Sequence, residues 1–97
     1  WKGVICGGGN VIELDLGGLT GYIPSELGNL SQLTRLNLRG WRHGIGLTGS
    51  IPPELGNLSK LSMLWLVNNQ LTGSIPPELV ALCGRQYVHG RQMSCKF

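Results

Sequence analysis

The sequence predicts an α/β fold of stacked repeats, a curved solenoid with a parallel sheet on its concave face. The prediction rests on one stretch that occurs three times. LTGSIPPELGNL at residues 47–58 returns as LTGSIPPELVAL from Leu71 and, slightly altered, as LTGYIPSELGNL from Leu19. Leucine and glycine dominate the 97 residues, which favours tight turns and repetitive packing over a mixed globule.

Each repeat unit also carries the spacing L-x-x-L-x-L ahead of the shared stretch. The third unit is the most complete, with L-x-x-L-x-L-x-x-N from Leu61 to Asn69. The equivalent segments of the second and first units begin at Leu33 and Val11. This pattern, with a period of about 20–29 residues, is the leucine-rich-repeat signature. We therefore expect about three coils.

The elements of one coil follow from its residues. The x-L-x-L-x part alternates with period two and predicts a short strand whose leucines point inward. Proline fixes φ and cannot donate to a ladder, so Pro24, Pro52 and Pro76 are expected on the convex side. The segments after them space leucines as a helix does, which predicts one short helical or 3₁₀ turn per coil. No coil can bury its apolar face alone, so each copy packs against the next.

The units are not equal in length. The first is about two residues short between Leu16 and Leu19, and the second carries an insertion, GWRHGIG, at residues 40–46. Both changes remove the asparagine of the pattern. Asn69 alone is expected to turn its amide inward toward backbone groups that no regular ladder satisfies.

The repeated text resembles a known family. LTGxIPxELGNLxxLxxLxLxxN is similar to the plant-type leucine-rich repeat of extracellular receptor-like proteins and receptor kinases. WKGVIC before the first unit resembles the WxGVxC of that family's N-terminal cap, and LCG at residues 82–84 followed by Cys95 resembles its C-terminal cap. The resemblance covers residues 1–84 well and the tail loosely. It implies a Cys83–Cys95 disulfide and a chain that is secreted or lies on the extracellular side of the cell surface.

The chain also departs from that family. The family's cap has a cysteine just before the tryptophan, and this chain begins at Trp1, so Cys6 is expected to be a buried apolar filler or disulfide-bonded in a longer parent. The family's asparagine ladder is not expected here. The tail does not continue the repeat. We predict a cap remnant at 1–10, leucine-rich repeats at 11–82 and a C-terminal cap and tail at 83–97.

Charge and motifs argue against several classes of function. The net charge is +3, and the basic residues are scattered through residues 35–97 without a nucleic-acid motif. No stretch approaches the length of a membrane span. The GGGN after Cys6 lacks the strand, lysine and helix of a phosphate loop, and the cysteines and histidines do not form a zinc pattern. We expect no enzyme, no cofactor, no metal site, no nucleic-acid partner and no membrane span in this chain.

The candidate binding surface combines the concave strands with the insertion. Outward positions on the second and third strands carry polar, basic and aromatic side chains, and tryptophan and arginine are enriched at binding hot spots. Glu13 and Arg35 are expected to lie across adjacent strands and to form a modest surface ion pair. The glycine-flanked insertion predicts a mobile loop beside the concave rim, and loops on rigid scaffolds often bind. The predicted patch comprises Arg35, Asn37, Arg39, Trp41, Arg42, His43, Met63 and Trp65.

Other readings of these residues stay open. Trp65 could instead be covered by the insertion loop or a neighbouring coil, and the insertion could be a tolerated change of loop length. Asn29 and Asn57 each begin an N-L-S glycosylation sequon, or else mark repeat duplication without glycans.

Four functions are compatible with the sequence. The resemblance implies a non-catalytic module that recognises a protein or peptide, with a co-receptor, in signalling or defence. A second family role is inhibition of a microbial wall-degrading glycosidase. A third reading is an ice- or cell-wall-polymer-binding solenoid, because Thr20, Thr48 and Thr72 are expected to stack at equivalent positions. The fourth is a truncated fragment without independent function.

Overall fold

The computed structural model describes residues 3–42, 44–88 and 90–97. Within these residues the strands, in chain order, are β1 (Val4–Gly7), β2 (Asn10–Asp15), β3 (Gly21–Tyr22), β4 (Arg35–Asn37), β5 (Leu47–Ser50), β6 (Met63–Trp65), β7 (Gln70–Thr72), β8 (Tyr87–Val88), β9 (Arg91–Gln92) and β10 (Ser94–Lys96). They form a five-stranded sheet, β1-β2-β4-β6-β10, a three-stranded sheet, β3-β5-β7, and the hairpin β8-β9.

The larger sheet contains the predicted strands of the repeat. β2, β4 and β6 pair in parallel, and the register places Leu14, Leu36 and Leu64 side by side. All three leucines are buried in the core. The prediction of a parallel sheet with inward leucines is confirmed. The sheet is mixed, however, because β1 pairs antiparallel with β2 across a turn in which Gly8 and Gly9 both have positive φ, as tight hairpin turns require.

The tail contributes a further parallel strand to this sheet. β10 pairs with β6, and Cys95 lies opposite Leu64. The Leu66 N–H donates to the Lys96 carbonyl at 2.7 Å, as the Leu38 N–H donates to the Trp65 carbonyl at 2.8 Å. The expectation that the tail does not continue the repeat is therefore wrong for β10. A parallel pairing needs only an extended backbone in the correct place, and it does not require the leucine pattern.

The predicted disulfide is confirmed, and it anchors this strand. Cys83 ends the α-helix of the third unit, and it is bonded to Cys95, 12 residues later, with the two Cα atoms 5.9 Å apart. Arg85 supports the same connection, because its guanidinium donates to the carbonyl oxygens of Ser59, Leu61 and Leu82. Cys6 is free and exposed on β1, so the expectation of a buried filler is wrong.

The smaller sheet was not predicted. β3, β5 and β7 come from the L-T-G-x-I-P stretches and pair in parallel. Its register places Thr48 opposite Tyr22 on one side and Gln70 on the other. The expected stacking of Thr20, Thr48 and Thr72 is therefore wrong. In the second and third units the threonine pairs with the residue two positions after the threonine of the preceding unit, as Thr72 pairs with Ser50.

The predicted short helical turns are confirmed. The first two units form 3₁₀ segments at Ser25–Asn29 and Pro53–Asn57, and the third forms the α-helix α1 at Pro77–Cys83. Pro24, Pro52 and Pro76 are their N-caps in extended conformation. Proline supplies the fixed φ there without interrupting a hydrogen bond.

Glycine sets how closely these turns stack. A Cβ on Gly28 would lie 2.5 Å from the Glu54 carbonyl oxygen, and one on Gly56 would lie 2.5 Å from the Glu78 Cβ. Each glycine thus admits the backbone of the next unit. The third unit has Val80 at this position, and its side chain is 57% exposed.

The core lies between the sheets and the helical turns. It consists almost entirely of leucine, and Leu33, Leu36, Leu55, Leu58, Leu61, Leu64 and Leu79 are fully buried. The stacked units bury these side chains mutually, as expected for repeat proteins.

We predict that Gly28→Ala destabilises the protein by about 1–3 kcal/mol, because the added methyl group overlaps the Glu54 backbone. Urea unfolding followed by circular dichroism measures this change. Gly7→Ala is the control, because the Cβ there meets only the flexible end of Ile12. Equal stability of the two variants would contradict the role given to Gly28.

Candidate functional site

The outward side chains of the larger sheet form one surface. We call it the sheet face and define it by Glu13, Asp15, Arg35, Asn37, Arg39, Met63, Trp65, Ser94 and Lys96. It borders a depression of about 530 Å³. The depression is lined by Gly3, Ile5, Glu13, Leu14, Asp15, Arg35, Asn37, Arg39, Met63 and Trp65.

Arg35 bridges its two neighbouring strands. Its Nε lies 3.5 Å from Glu13 Oε1, and its Nη2 lies 3.3 Å from the sulfur of Met63. The register sets these three residues side by side. The predicted Glu13–Arg35 ion pair is confirmed. Both side chains are partly solvated, so the pair orients the guanidinium and contributes only modestly to stability.

Asn37 has a structural role within the face. It is buried, its Nδ2 donates to Asp15 Oδ1 at 3.2 Å, and its Oδ1 accepts from the Arg39 N–H at 3.2 Å. Because both ends of the amide are engaged, Asn37 positions Asp15 and Arg39. Arg39 is exposed and is directed to the solvent side of the sheet.

Trp65 is held by the tail. The indole is half-buried, its Nε1 donates to Ser94 Oγ at 3.2 Å, and the Lys96 Nζ lies 4.5 Å from the ring centroid. The cation–π geometry favours this placement of the ammonium group. β10 flanks Trp65 on one side, which agrees with the alternative that a neighbouring coil covers it. Met63, on the same strand, is buried.

Charge changes sign across the sheet face. Glu13 and Asp15 lie on β2, Arg35 and Arg39 on or just after β4, and Lys96 on β10. The half-buried indole of Trp65 lies among the basic groups. Trp65 thus offers an apolar contact near basic side chains, and the acidic residues of β2 lie at the other edge.

Ser94 and Lys96 were missed by sequence reasoning. The signal for them is weak: in MSCKF, at residues 93–97, only Cys95 and Phe97 repeat the spacing of the apolar Leu64 and Leu66 in SMLWL. The inward leucine is replaced by Cys95, which the disulfide to α1 keeps in place.

The insertion loop is pinned at both ends. The Gly40 N–H donates to the Val67 carbonyl at 2.9 Å, and the Leu47 N–H donates to Asn69 Oδ1 at 2.9 Å. Gly40 packs against the Asn68 carbonyl, and Gly46 against the Asn69 side chain, where a Cβ would not fit. Two of the loop glycines therefore have a packing cause, and their presence is not evidence of mobility.

Asn69 makes the inward contacts that the repeat pattern predicts. Besides accepting from Leu47, its Nδ2 donates to the carbonyl oxygens of Leu38 at 2.7 Å and Leu66 at 3.0 Å. One side chain thus satisfies three backbone groups where the loop leaves the sheet. This prediction is confirmed.

The predicted patch divides into two areas. Arg35, Asn37, Arg39, Met63 and Trp65 line the depression of the sheet face. Trp41 and Arg42 line two other depressions at the loop, of about 490 and 320 Å³. His43 lies outside the described residues.

The sequons occupy matching positions. Asn29 and Asn57 are exposed at the ends of the two 3₁₀ segments, and each carbonyl accepts from the N–H of the sequon serine, Ser31 or Ser59, at 2.9 Å. Both lie on the helical side, away from the sheet face.

Two features are absent from the part of the chain that the structure describes. No group of three or more histidine, cysteine or acidic side chains is arranged to hold a metal ion there. No helix formed by those residues is long and apolar enough to cross a membrane.

Comparison with known proteins agrees with the geometry. Residues 60–82 match the Leucine Rich Repeat family model. The BIR2 ectodomain from Arabidopsis thaliana is similar in structure, with a TM-score of 0.72 and 38% identity over 96% of this chain and 49% of that one. A chain of the BIR3–SERK2 complex from Arabidopsis thaliana follows, with a TM-score of 0.65 and 25% identity over 97% of this chain and 60% of that one.

This protein carries a leucine-rich repeat at residues 60–82, and its structure is similar to that of plant ectodomains. It spans about half the length of the BIR2 ectodomain chain. A plant ice-binding protein is also similar, at 25% identity over 98% of this chain and 39% of that one, but its TM-score of 0.49 is too low to support an argument. A search of curated proteins found no match.

We predict that the double variant Cys83→Ala/Cys95→Ala loses about 2–4 kcal/mol of stability, because the bridge no longer restrains the unfolded chain. Trp65 should also become more exposed as β10 loosens, which shifts its fluorescence to longer wavelength. Chemical unfolding and emission spectra measure both effects. Cys6→Ser is the control, since that thiol is free and exposed. Unchanged stability in the double variant would contradict the anchoring role of the bridge.

Proposed function

We propose that this chain is a non-catalytic recognition module whose sheet face binds a protein or peptide. The single observation that supports this most strongly is Trp65, a half-buried indole fixed by Ser94 and Lys96 beside Arg35 and Arg39. Rigid aromatic and arginine side chains at the centre of a surface are the usual anchors of protein interfaces. The three repeat units act as a short solenoid that presents this face.

The partner that we propose for this surface is of the co-receptor kind. One of the similar structures is a complex of BIR3 with SERK2, which are plant proteins. We propose that this chain binds a leucine-rich-repeat ectodomain of that type, at the extracellular side of the cell surface, in signalling or defence. The Cys83–Cys95 disulfide supports an oxidising compartment.

The charge pattern indicates how such a partner would be oriented. Arg35, Arg39 and Lys96 favour an acidic or carbonyl-rich segment over Trp65, and Glu13 and Asp15 favour basic side chains at the other edge. Complementary charge sets register and association rate more than affinity. The apolar contact with Trp65 supplies most of the binding free energy in this proposal.

The test measures binding of the purified SERK2 ectodomain to this chain by isothermal titration calorimetry. Trp65→Ala should weaken binding by at least about tenfold, as loss of an aromatic anchor does. Arg39→Glu should also weaken binding, and its effect should be larger at low salt than at high salt. Arg39 is exposed, so its replacement leaves the fold intact and keeps the test independent of any rearrangement around Trp65.

Thr48→Ala on the smaller sheet is the matched control, and we expect it to bind as the unmodified chain does. No binding of the unmodified chain to SERK2 would overturn the co-receptor proposal. Full binding by both Trp65→Ala and Arg39→Glu would overturn the assignment of the sheet face.

We also propose that Asn29 and Asn57 carry N-linked glycans, because both sequons are exposed and lie away from the sheet face. Intact mass of the chain secreted from plant cells should fall by two glycans after enzymatic deglycosylation. Asn29→Gln should remove one glycan and leave binding to the partner unchanged. A mass equal to that of the bare chain would contradict this proposal.

A further inference from the structure

The exposed tryptophan of the insertion loop, Trp41, packs against two glycines of the first unit. Trp41 is 73% exposed, yet one side of its indole lies on the backbone of the first unit. A Cβ built on Gly17 would lie 2.5 Å from Trp41 Nε1, and one on Gly18 would lie 2.6 Å from two ring carbons. Only glycine allows this approach. One side of the indole is therefore packed against the first unit, while most of its surface faces solvent.

The two irregularities of the repeat meet at this point. The first unit is shortened, and its strand is followed by Gly17 and Gly18. The second unit is lengthened, and its insertion supplies Trp41. The backbone joins them, because the Gly18 N–H donates to the Arg39 carbonyl at 2.9 Å. The two length changes thus form a single feature, in which the first unit provides the glycines and the second provides the indole that packs on them.

Polar side chains surround the open part of the indole. The larger depression, of about 490 Å³, is lined by Trp41, Arg42, Gly44, Asn68, Asn69 and Gln70. The amide of Asn69 is occupied by backbone groups, whereas Asn68 and Gln70 are exposed. The described residues that line this depression include no carboxylate, and Trp41 is the only apolar side chain among them.

We propose that this depression, the rim site, binds the pyranose ring of an oligosaccharide with equatorial hydroxyl groups. Such a ring has C–H bonds on its faces, which stack on an indole, and hydroxyl groups at its edges. Asn68 and Gln70 offer both donors and acceptors to those hydroxyls, and Arg42 offers donors. A protein anchor site would need a cluster of apolar residues around the tryptophan. Of the described residues that line the two loop depressions, only Ile45 is apolar besides Trp41, and it lines the smaller one.

The size and rigidity of the rim site suit a small ligand. Its volume lies in the range of small-molecule pockets. Because the indole is already held by Gly17 and Gly18, little side-chain freedom is lost on binding. This inference does not depend on the proposed function, since it uses none of the residues that define the sheet face.

The test titrates the whole chain with cellohexaose, a β-linked glucose hexamer, and follows the indole N–H signals and the backbone N–H signals of residues 68 and 70 by two-dimensional NMR. The backbone signals report binding in the variants that lack Trp41. We expect the Trp41 signal to shift with a dissociation constant on the order of 1 mM. Trp41→Ala should weaken binding by at least tenfold, Gln70→Ala by about threefold, and Trp41→Phe should restore part of the affinity. The spectra of the free variants show whether each one folds.

Trp65→Ala is the matched control, and it should bind cellohexaose as the unmodified chain does. Its loss of SERK2 binding with cellohexaose binding retained separates the two proposals. No shift of the Trp41 signal at saturating hexamer would overturn the rim site. Equal binding by Trp41→Ala, or loss of binding in Trp65→Ala with Trp41→Ala unaffected, would overturn it as well.

Discussion

The parallel register between repeat units is the constraint on which the rest of this structure depends. It sets side by side residues that are 22 or 28 positions apart, such as Asp15 with Asn37 and Arg35 with Met63. The same register stacks the inward leucines into one core and aligns the outward side chains into one face. On the helical side it holds only because Gly28 and Gly56 leave room for the next backbone.

Much of this arrangement could be predicted from the sequence, because leucine spacing, proline and glycine act locally. The inward strands, the 3₁₀ turns, the Glu13–Arg35 pair, the contacts of Asn69 and the Cys83–Cys95 bridge were all expected. The smaller sheet and β10 were not. Strands of two to four residues carry too little periodicity to be recognised, and their pairing is decided by where the chain returns. For β10, the Cys83–Cys95 disulfide links the returning chain to α1.

The candidate site was predictable only in outline. Trp65 and the arginines follow from strand alternation, but their setting does not. The tail residues Ser94 and Lys96 fix the indole, and Asn37 is occupied within the protein. The packing of Trp41 could not be predicted either, because the glycines that it contacts, Gly17 and Gly18, belong to a different unit. Irregular repeats are hard to interpret singly, because a shortening in one unit and an insertion in another can belong to one structure.

Hydrogen exchange with and without the bound SERK2 ectodomain would show directly whether the sheet face is the recognition surface. We expect slower exchange on binding at residues 35–39, 63–66 and 94–96. We also expect unchanged exchange in the smaller sheet at residues 21–22, 47–50 and 70–72. Slowing confined to the smaller sheet or to the helical side at residues 25–29 and 53–57 would contradict this role of the sheet face.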